Sequence, residues 1–146
     1  MRSKLVDELR AKRRSAPPGL SEDNPFWDFS LEIYARRGVS EACLALQEEF
    51  GVDENMLLFC MWLAQQGRAL DDAAAGGCMA IAGPWQNGMV VPLRALRHAC
   101  RDDASLAPEA LRESLRQELL RVELHAERIE QELLLDFSTA ALTSRS

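Results

Sequence analysis

The chain has 146 residues, of which 47% are hydrophobic and 27% charged, with a net charge of −6. This length suits one domain with a sizeable core, and no apolar run reaches the ~18 residues that a membrane helix needs. The basic N-terminus is not followed by the apolar core of a signal peptide. We therefore predict a cytoplasmic protein with no membrane association.

Charge is unevenly distributed along the chain. Residues 1–14 carry six basic and two acidic side chains, which leaves residues 15–146 with a net charge of −10. An acidic body repels the phosphate backbone of nucleic acids. Nucleic acid binding is therefore not expected except through the basic arm, at Arg10, Lys12, Arg13 and Arg14.

The clearest linker is "SAPPGLSEDNP", which combines two adjacent prolines, a glycine and a polar cluster. We predict a flexible basic arm and linker at 1–23, a helical domain at 24–137 and a frayed tail at 138–146. The four cysteines have no C-x-x-C spacing, and each lies in an apolar helical pattern. We interpret the four cysteines as buried free thiols of a protein in a reducing compartment.

The predicted helices begin with "NPFWDFSLEIY", capped by Asn24 with Pro25 at the first helical position. "SEACLALQEEF" is the second helix and ends at Gly51. "DENMLLFCMWLAQQ", capped by Asp53 and ended by Gly67, is the third. Its run from Met56 to Ala64 is unbroken by charge, which predicts the most buried helix of the domain.

A fourth helix is predicted from Asp71 or Asp72 to Gly83, with Gly76–Gly77 in its middle. Two glycines inside a helix are costly, so we expect a neighbouring helix to cross closely there or the helix to bend. "MVVPLRALRHACR" gives a fifth helix, which Pro92 either starts or kinks.

The last predicted helix begins at Pro108 and is about twice as long as the others. One face carries an apolar stripe, and the opposite face carries charges of alternating sign. The stripe consists of Leu111, Leu115, Leu119, Val122, Ala126, Ile129 and Leu133. We expect the stripe to pack on the domain itself. The alternative is that part of the helix overhangs and pairs with a second copy, which would give a homodimer through the 108–136 helix.

No segment shows the alternation of a strand. The sequence therefore predicts an all-α protein, a single compact bundle of about six helices with a long C-terminal amphipathic helix.

The pairs Asp71–Asp72 and Asp102–Asp103 resemble the carboxylate clusters of helical magnesium sites, but both lack a third carboxylate three or four positions on. His98 and His125 lack the glutamate three positions before each that a di-iron bundle requires. We predict no catalytic residue, no metal and no cofactor. The sequence does not decide whether the protein is an enzyme, and it favours a protein that is not one.

Arg94, Arg97 and Arg101, which we call the arginine row, stand at i, i+3 and i+7 on one helix face, with His98 beside them. Such a row suits carboxylates or phosphates. The alternative is internal, with the arginines paired to the glutamates of the last helix or to Asp71–Asp72.

Aromatic side chains supply the remaining candidates. Phe26, Phe29 and Ile33 share a face and are predicted to pack in the core, whereas Trp27 is the candidate pocket wall or partner anchor. Trp85 lies in "GPWQNG", which is interpreted as an exposed turn. Its ring either anchors a partner or folds back over the core.

The segment from "NPFWDFSL" to the second-half motifs "VVPLRALR" and "ELHAERIEQELL" resembles a family of short proteobacterial proteins. That family is known only as a conserved domain of unknown function. The resemblance runs from about Asn24 to Leu134, and it implies one cytoplasmic helical domain. It implies no activity, cofactor or catalytic residue.

The first hypothesis is a non-enzymatic interaction or regulatory protein that binds a protein partner through the arginine row, with Trp85 and Trp27 as aromatic anchors. The second is a small-molecule binder or enzyme with an apolar pocket between helices and arginines for an anionic ligand. A pocket lined by Met61, Trp62 and Met79, with Arg94 at its mouth, would favour the second. A third and weaker hypothesis has the basic arm binding nucleic acid.

Overall fold

The computed structural model of the protein describes residues 16–142, and this part of the chain is all-α, as predicted. It contains α1 (Pro25–Tyr34), α2 (Val39–Phe50), α3 (Glu54–Gln65), α4 (Asp72–Trp85), α5 (Val91–Asp102) and α6 (Glu109–Phe137). A π-helical turn (Gln86–Val90) joins α4 to α5, and a second (Ser138–Leu142) follows α6. Since α4, the first π-turn and α5 run on without a break, residues 16–142 form five continuous helical segments. The predicted number of about six is corrected accordingly.

The predicted helix caps are present. Asn24 Oδ1 accepts a hydrogen bond from the Trp27 amide at 2.9 Å, Asp53 from the Asn55 amide at 2.9 Å, and Asp71 from the Ala74 amide at 2.7 Å. Each bond satisfies an amide that has no partner within its own helix. The local sequence signals therefore define where α1, α3 and α4 begin.

The segment "GPWQNG" is not the exposed turn that the sequence suggested, because Pro84 lies inside α4 and the π-turn follows directly. The half-buried Trp85 folds back onto α6, where its Nε1 donates to the Ala126 carbonyl oxygen at 2.7 Å. The π-turn, which is wider than an α-turn, ends at Val90, two residues before Pro92, whose ring would clash with the carbonyl of an ordinary α-turn. The chain thus passes both prolines without leaving the helix.

An aromatic cluster forms the centre of the core, as predicted for α1. The ring centroid of Phe26 lies 5.3 Å from that of Phe59 and 5.5 Å from that of Trp62, and both phenylalanines are fully buried. Ile33 of α1 and Leu134 of α6 complete the contact with α3. These apolar side chains remove a large area from water, the main stabilising contribution to a fold of this size.

α6 contacts more helices than α3 does, although α3, which was predicted to be the most buried helix, has the larger buried share: six of its 12 residues against 11 of 29 in α6. α6 contacts α1, α3, α4 and α5, whereas α2 packs against α1 and α3. α3 buries one face only, and Cys60 and Met61 are exposed on the other. The prediction that all four cysteines are buried is therefore wrong for Cys60, while Cys43, Cys78 and Cys100 are buried free thiols.

The two glycines in α4 have different surroundings. A Cβ added to Gly77 would lie 2.5 Å from the Phe137 ring, whereas one added to Gly76 would meet nothing within 4 Å. The close helix approach predicted for this pair is therefore present at Gly77. It brings the end of α6 against the middle of α4.

The predicted arm lies outside the described residues at positions 1–15, and the last four tail residues lie outside them as well. Within the predicted linker, the Ser21 amide donates to Glu132 at 3.1 Å, and Arg128 donates to the Ser21 carbonyl oxygen at 3.1 Å. At the other end, Ser138 is 2% exposed. Among the helices of residues 16–142, none combines the length and the apolar character needed to cross a membrane.

Candidate functional site

The long helix α6 buries part of the charged face that lies opposite its apolar stripe. Six polar residues of its second half are buried: Glu123, Glu127, Arg128, Glu130, Gln131 and Glu132. In its first half the apolar stripe is open, with Leu111, Leu115 and Val122 at 65%, 51% and 49% exposure. The expectation that the stripe packs on the domain is therefore wrong for these three residues, which we call the open face.

Buried polar groups are stable only when they are hydrogen-bonded, and distant residues supply the partners here. Asn24 Nδ2 donates to Glu132 at 2.9 Å. Gln131 Nε2 donates to Ser30 Oγ at 3.0 Å and to Asn55 Oδ1 at 2.9 Å. This polar layer connects α6 to α1 and α3 beside the aromatic cluster.

Glu130 is fully buried within this layer and accepts a hydrogen bond from Asn55 Nδ2 at 3.1 Å. Burial, and secondly the neighbouring Asp53, raises the pKa of Glu130 to about 10. Its carboxyl group is therefore neutral at pH 7. A protonated carboxyl group is the form that an apolar interior tolerates.

The arginine row points largely inward. Arg97 is 9% exposed, and its Nε lies 2.5 Å from Glu123 Oε2. Arg94 Nε donates to Glu123 Oε1 at 3.3 Å. Arg101 is exposed and forms a surface ion pair with its neighbour Asp102 at 2.8 Å. The row is thus divided between an internal ion-pair cluster on α6 and one arginine at the surface.

The other predicted site residues are His98, Trp27 and Trp85. His98 is half-buried, and its pKa is lowered by burial and then by the charges of Arg97 and Arg101. Trp27 is 5% exposed and lies under the Arg128 guanidinium, at 5.5 Å from ring centroid to Cζ. Trp85 is held against α6, as described above. Neither indole is presented as a partner anchor.

Trp27 instead forms part of a small cleft of about 30 Å³, whose polar walls include Tyr34, Glu54 and Gln131. The buried Nε1 of Trp27 donates no hydrogen bond to any of residues 16–142. A space of this size holds roughly one water molecule, so the cleft is too small for a metabolite.

A larger groove of about 490 Å³ opens between α2, the α2–α3 connection and the α4–α5 segment. We call it the Arg94 groove. Its walls include Gln47, Met56, Met79, Gly83, Gln86 and Arg94. Pockets of 300–1,000 Å³ with apolar walls and a few polar groups are typical of small-molecule sites.

Arg94 is held in this groove by three side chains. The Glu123 bond fixes Nε, and Gln47, with its amide oxygen turned to Arg94, accepts from Nη1 at 3.1 Å and from Nη2 at 2.7 Å. Glu127 lies 3.7 Å from Nη2, beyond hydrogen-bond distance. A guanidinium offers five N–H donors, so it has capacity for a further acceptor in the groove.

Gln86 contributes a second polar group to the groove wall. It is 8% exposed, and within the described chain no donor reaches its buried Oε1. A buried acceptor without a partner costs about 1–3 kcal/mol. Gln86 is also the first residue of the π-turn, and single π-turns inside helices frequently occur at functional sites.

The sequence predicted part of this groove. Met79 and Arg94 line it, as the small-molecule hypothesis required, but Trp62 belongs to the core and Met61 lies on the exposed face of α3. Gln47 and Gln86 were missed, because a glutamine in a helical segment carries no local signal. In residues 16–142, no group of three or more His, Cys, Asp or Glu side chains is arranged to hold a metal ion.

Comparison with curated proteins and with solved structures gave no match. A model of the family described as "Protein of unknown function (DUF2390)" matches residues 25–134. The match covers all of α1 to α5, the Arg94 groove and most of α6. The chain therefore belongs to the DUF2390 family.

Proposed function

We propose that this domain is a small-molecule binding module that takes an anionic, amphipathic ligand in the Arg94 groove. The observation that carries the proposal is the placement of the guanidinium in a groove of about 490 Å³. The acidic group of the ligand binds Arg94, and its apolar part lies along the groove wall. A cytoplasmic location, which the free cysteines suggest, belongs to the same proposal.

Positioning of Arg94 supports anion recognition. Its side chain is 13% exposed, so one side is open to the groove while Glu123 and Gln47 fix the guanidinium plane. A guanidinium fixed in this way offers its remaining N–H groups to a carboxylate or phosphate with less loss of side-chain entropy than a mobile surface arginine. Arg94 donates no hydrogen bond to Glu127, because the 3.7 Å between Nη2 and the Glu127 carboxylate leaves charge attraction alone.

The apolar walls support an amphipathic ligand. Met79 is 64% exposed and Val91 42% exposed, although both line the groove. Exposed apolar side chains grouped around a concavity mark a binding site more often than a free surface. Gly83 leaves the helix backbone uncovered between them, since a Cβ there would meet nothing within 4 Å.

Isothermal titration with nonanoate and with nonanamide tests the proposal on the unmodified protein. The two probes have the same shape and differ in charge. A charge-assisted hydrogen bond contributes about 1.5–3 kcal/mol, so nonanoate should bind at least roughly tenfold more tightly. Binding of neither probe, or equal binding of both, would remove the proposal.

Variants then locate the site. Arg94→Met should abolish the preference for nonanoate, and Arg101→Met, on the same helix at the surface, should keep it. Because Arg94→Met also removes one partner of buried Glu123, its folding must be verified by thermal unfolding. If both variants fold and both keep the preference, the anion binds elsewhere.

A second candidate function is self-association through the open face, Leu111, Leu115 and Val122. Their exposure of 49–65% on one side of a long helix supports it. In an antiparallel pair of α6 helices, Leu115 of one copy meets Val122 of the other. Sedimentation analysis should show a dimer that Leu115→Glu dissociates and that Phe50→Glu, at the exposed end of α2, does not.

The arginine row has less support as a surface for a protein partner. Arg97 is buried against Glu123, and Arg101 is paired with Asp102. Exposed ion pairs contribute little to binding. A partner that depends on Arg101 alone would be lost in Arg101→Glu and retained in Arg94→Met, which is the reverse of the pattern expected for the groove.

A further inference from the structure

We infer that the ligand of the Arg94 groove is a zwitterion, whose anionic group binds Arg94 and whose ammonium group binds Asp53. This inference rests on the proposed function and adds a second recognition point to it. The observation behind it is that Arg94 and Asp53 both line the groove and carry opposite charges. Within residues 16–142, the other side chains that line the groove are uncharged.

The two charged residues belong to different walls of the groove. Asp53 lies in the α2–α3 connection, and Arg94 lies on α5. The carboxylates nearest to the Arg94 guanidinium are those of Glu123 and Glu127 on α6, so the charge of Asp53 is not used in an ion pair with Arg94. A molecule with one positive and one negative group is complementary to such a pair of walls.

Asp53 has both the exposure and the bonding capacity to bind an ammonium group. The residue is half-buried, so part of it reaches solvent. The Asn55 amide uses one acceptor position of Oδ1 at 2.9 Å, and a hydrogen bond with the neighbouring Glu130 carboxyl group uses a second. An ionised carboxylate offers about four such positions. Asp53 therefore keeps acceptor capacity for a ligand.

The charges around Arg94 favour a zwitterion over a simple anion. Arg94 and Arg97 both pair with Glu123, and Glu127 lies 3.7 Å from Arg94. Together with Asp53, this set contains three carboxylates and two guanidinium groups. A ligand that is only an anion adds to the negative excess of the set. An ammonium group on the same ligand cancels the added charge and places the positive end on Asp53.

The test compares three probes with the same polymethylene chain: nonanoate, octylamine and 8-aminooctanoate. The last one carries an ammonium group in place of the methyl group of nonanoate, and a carboxylate in place of the methyl group of octylamine. Calorimetric titration of the wild type should show the tightest binding for 8-aminooctanoate. We expect an advantage of roughly fivefold or more over nonanoate, because a charge-assisted hydrogen bond to a half-buried carboxylate outweighs the lost methyl contact.

Asp53→Asn locates the ammonium site. Asparagine caps a helix about as well as aspartate, so the variant keeps the start of α3 and loses the charge. It should lose the preference for 8-aminooctanoate over nonanoate. Asp71→Asn makes the same change at the cap of α4, outside the groove, and should keep the preference. Thermal unfolding establishes that both variants fold, and Asp53→Ser, which also retains a cap, replaces an asparagine variant that does not.

The remaining outcomes separate the two proposals. If no probe binds, or if octylamine binds as tightly as 8-aminooctanoate, Arg94 does not recognise an anion and the proposed function itself fails. If nonanoate binds at least as tightly as 8-aminooctanoate, or if folded Asp53→Asn keeps the preference for 8-aminooctanoate, the groove binds an anion but Asp53 does not bind the ligand. Either of these last two results contradicts the inference and leaves the function standing.

Discussion

Arg97 and Glu123 form a buried ion pair between α5 and α6, with 2.5 Å between Arg97 Nε and Glu123 Oε2. The Glu123 side chain is 1% exposed and accepts from Arg94 as well. Arg94 and Arg97, two members of the arginine row, thus both pair with one buried glutamate of α6. The same pair holds Arg94 at the edge of the groove.

Breaking this pair should be strongly destabilising. Arg97→Met leaves the Glu123 charge with one partner, and removing one member of a buried pair typically costs about 3–5 kcal/mol. Chemical denaturation of Arg97→Met, Glu123→Leu and the double variant measures the coupling. The double variant should lose clearly less stability than the sum of the single losses. Additive losses would show that the pair is not a unit.

Glu130 should make the stability depend on pH. Its pKa is raised from 4.5 to about 10, so between these pH values the folded state keeps a proton that the unfolded state has released. The stability of the wild type relative to Glu130→Gln should therefore fall as pH rises through this window, by at most about 1.4 kcal/mol per pH unit.

Urea unfolding of both proteins between pH 5 and pH 9 tests this expectation, which follows from the direction of the pKa shift. The glutamine variant keeps the oxygen that accepts from Asn55 and stays neutral at every pH. A constant difference between the two proteins across this range would mean that Glu130 is ionised in the folded state.

Gly76 and Gly77 should respond differently to the same substitution. Gly76→Ala meets nothing within 4 Å and should stabilise the protein by about 0.5–1 kcal/mol through helix propensity. Gly77→Ala places a methyl group on the Phe137 ring and should be destabilising. Thermal unfolding of both variants, and of Gly77→Ala/Phe137→Leu, measures the effect. Equal stabilisation by both alanines would refute the close approach.

Cys60 should be the cysteine that reacts in the native protein. It is exposed, whereas Cys43, Cys78 and Cys100 are buried. Partial burial raises the pKa of the Cys60 thiol as well, and burial raises that of Cys78 to about 11, so the exposure of Cys60 is what distinguishes it. A thiol reagent should therefore modify one equivalent under native conditions and four after denaturation. Cys60→Ser should lose the native equivalent. A second fast equivalent would contradict the burial of the other three.

Local signals in the sequence predicted much of the fold. Three helix starts are marked by a capping side chain that accepts a hydrogen bond from a backbone amide two or three residues later: Asn24, Asp53 and Asp71. A cap of this kind can be predicted because both of its partners lie within one helical turn of the sequence. Phe26 and Ile33 were assigned to the core from their spacing. The π-turn was missed, because prolines at 84 and 92 normally signal breaks and the compensating contact of Trp85 with Ala126 spans 41 residues.

The orientation of α6 could not be predicted in the same way. An amphipathic pattern normally buries its apolar stripe, yet Glu132 and Gln131 are buried because Asn24, Ser30 and Asn55 bond to them across 76–108 residues. The internal alternative for the arginine row, in which Arg94 and Arg97 pair with glutamates of the last helix, agrees with their contacts to Glu123 and implies that some glutamates face inward. The groove depends on Gln47 and Gln86, whose roles arise only from the tertiary arrangement.

Filling the groove tests the central claim most directly. Gly83→Leu places a side chain in the groove where a Cβ meets nothing within 4 Å, and Gly76→Leu makes the same change on α4 outside it. Thermal unfolding first establishes that both variants fold. Titration with nonanoate should then show binding to the wild type and to Gly76→Leu, and none to Gly83→Leu. Undiminished binding to folded Gly83→Leu would show that the ligand site is not the Arg94 groove.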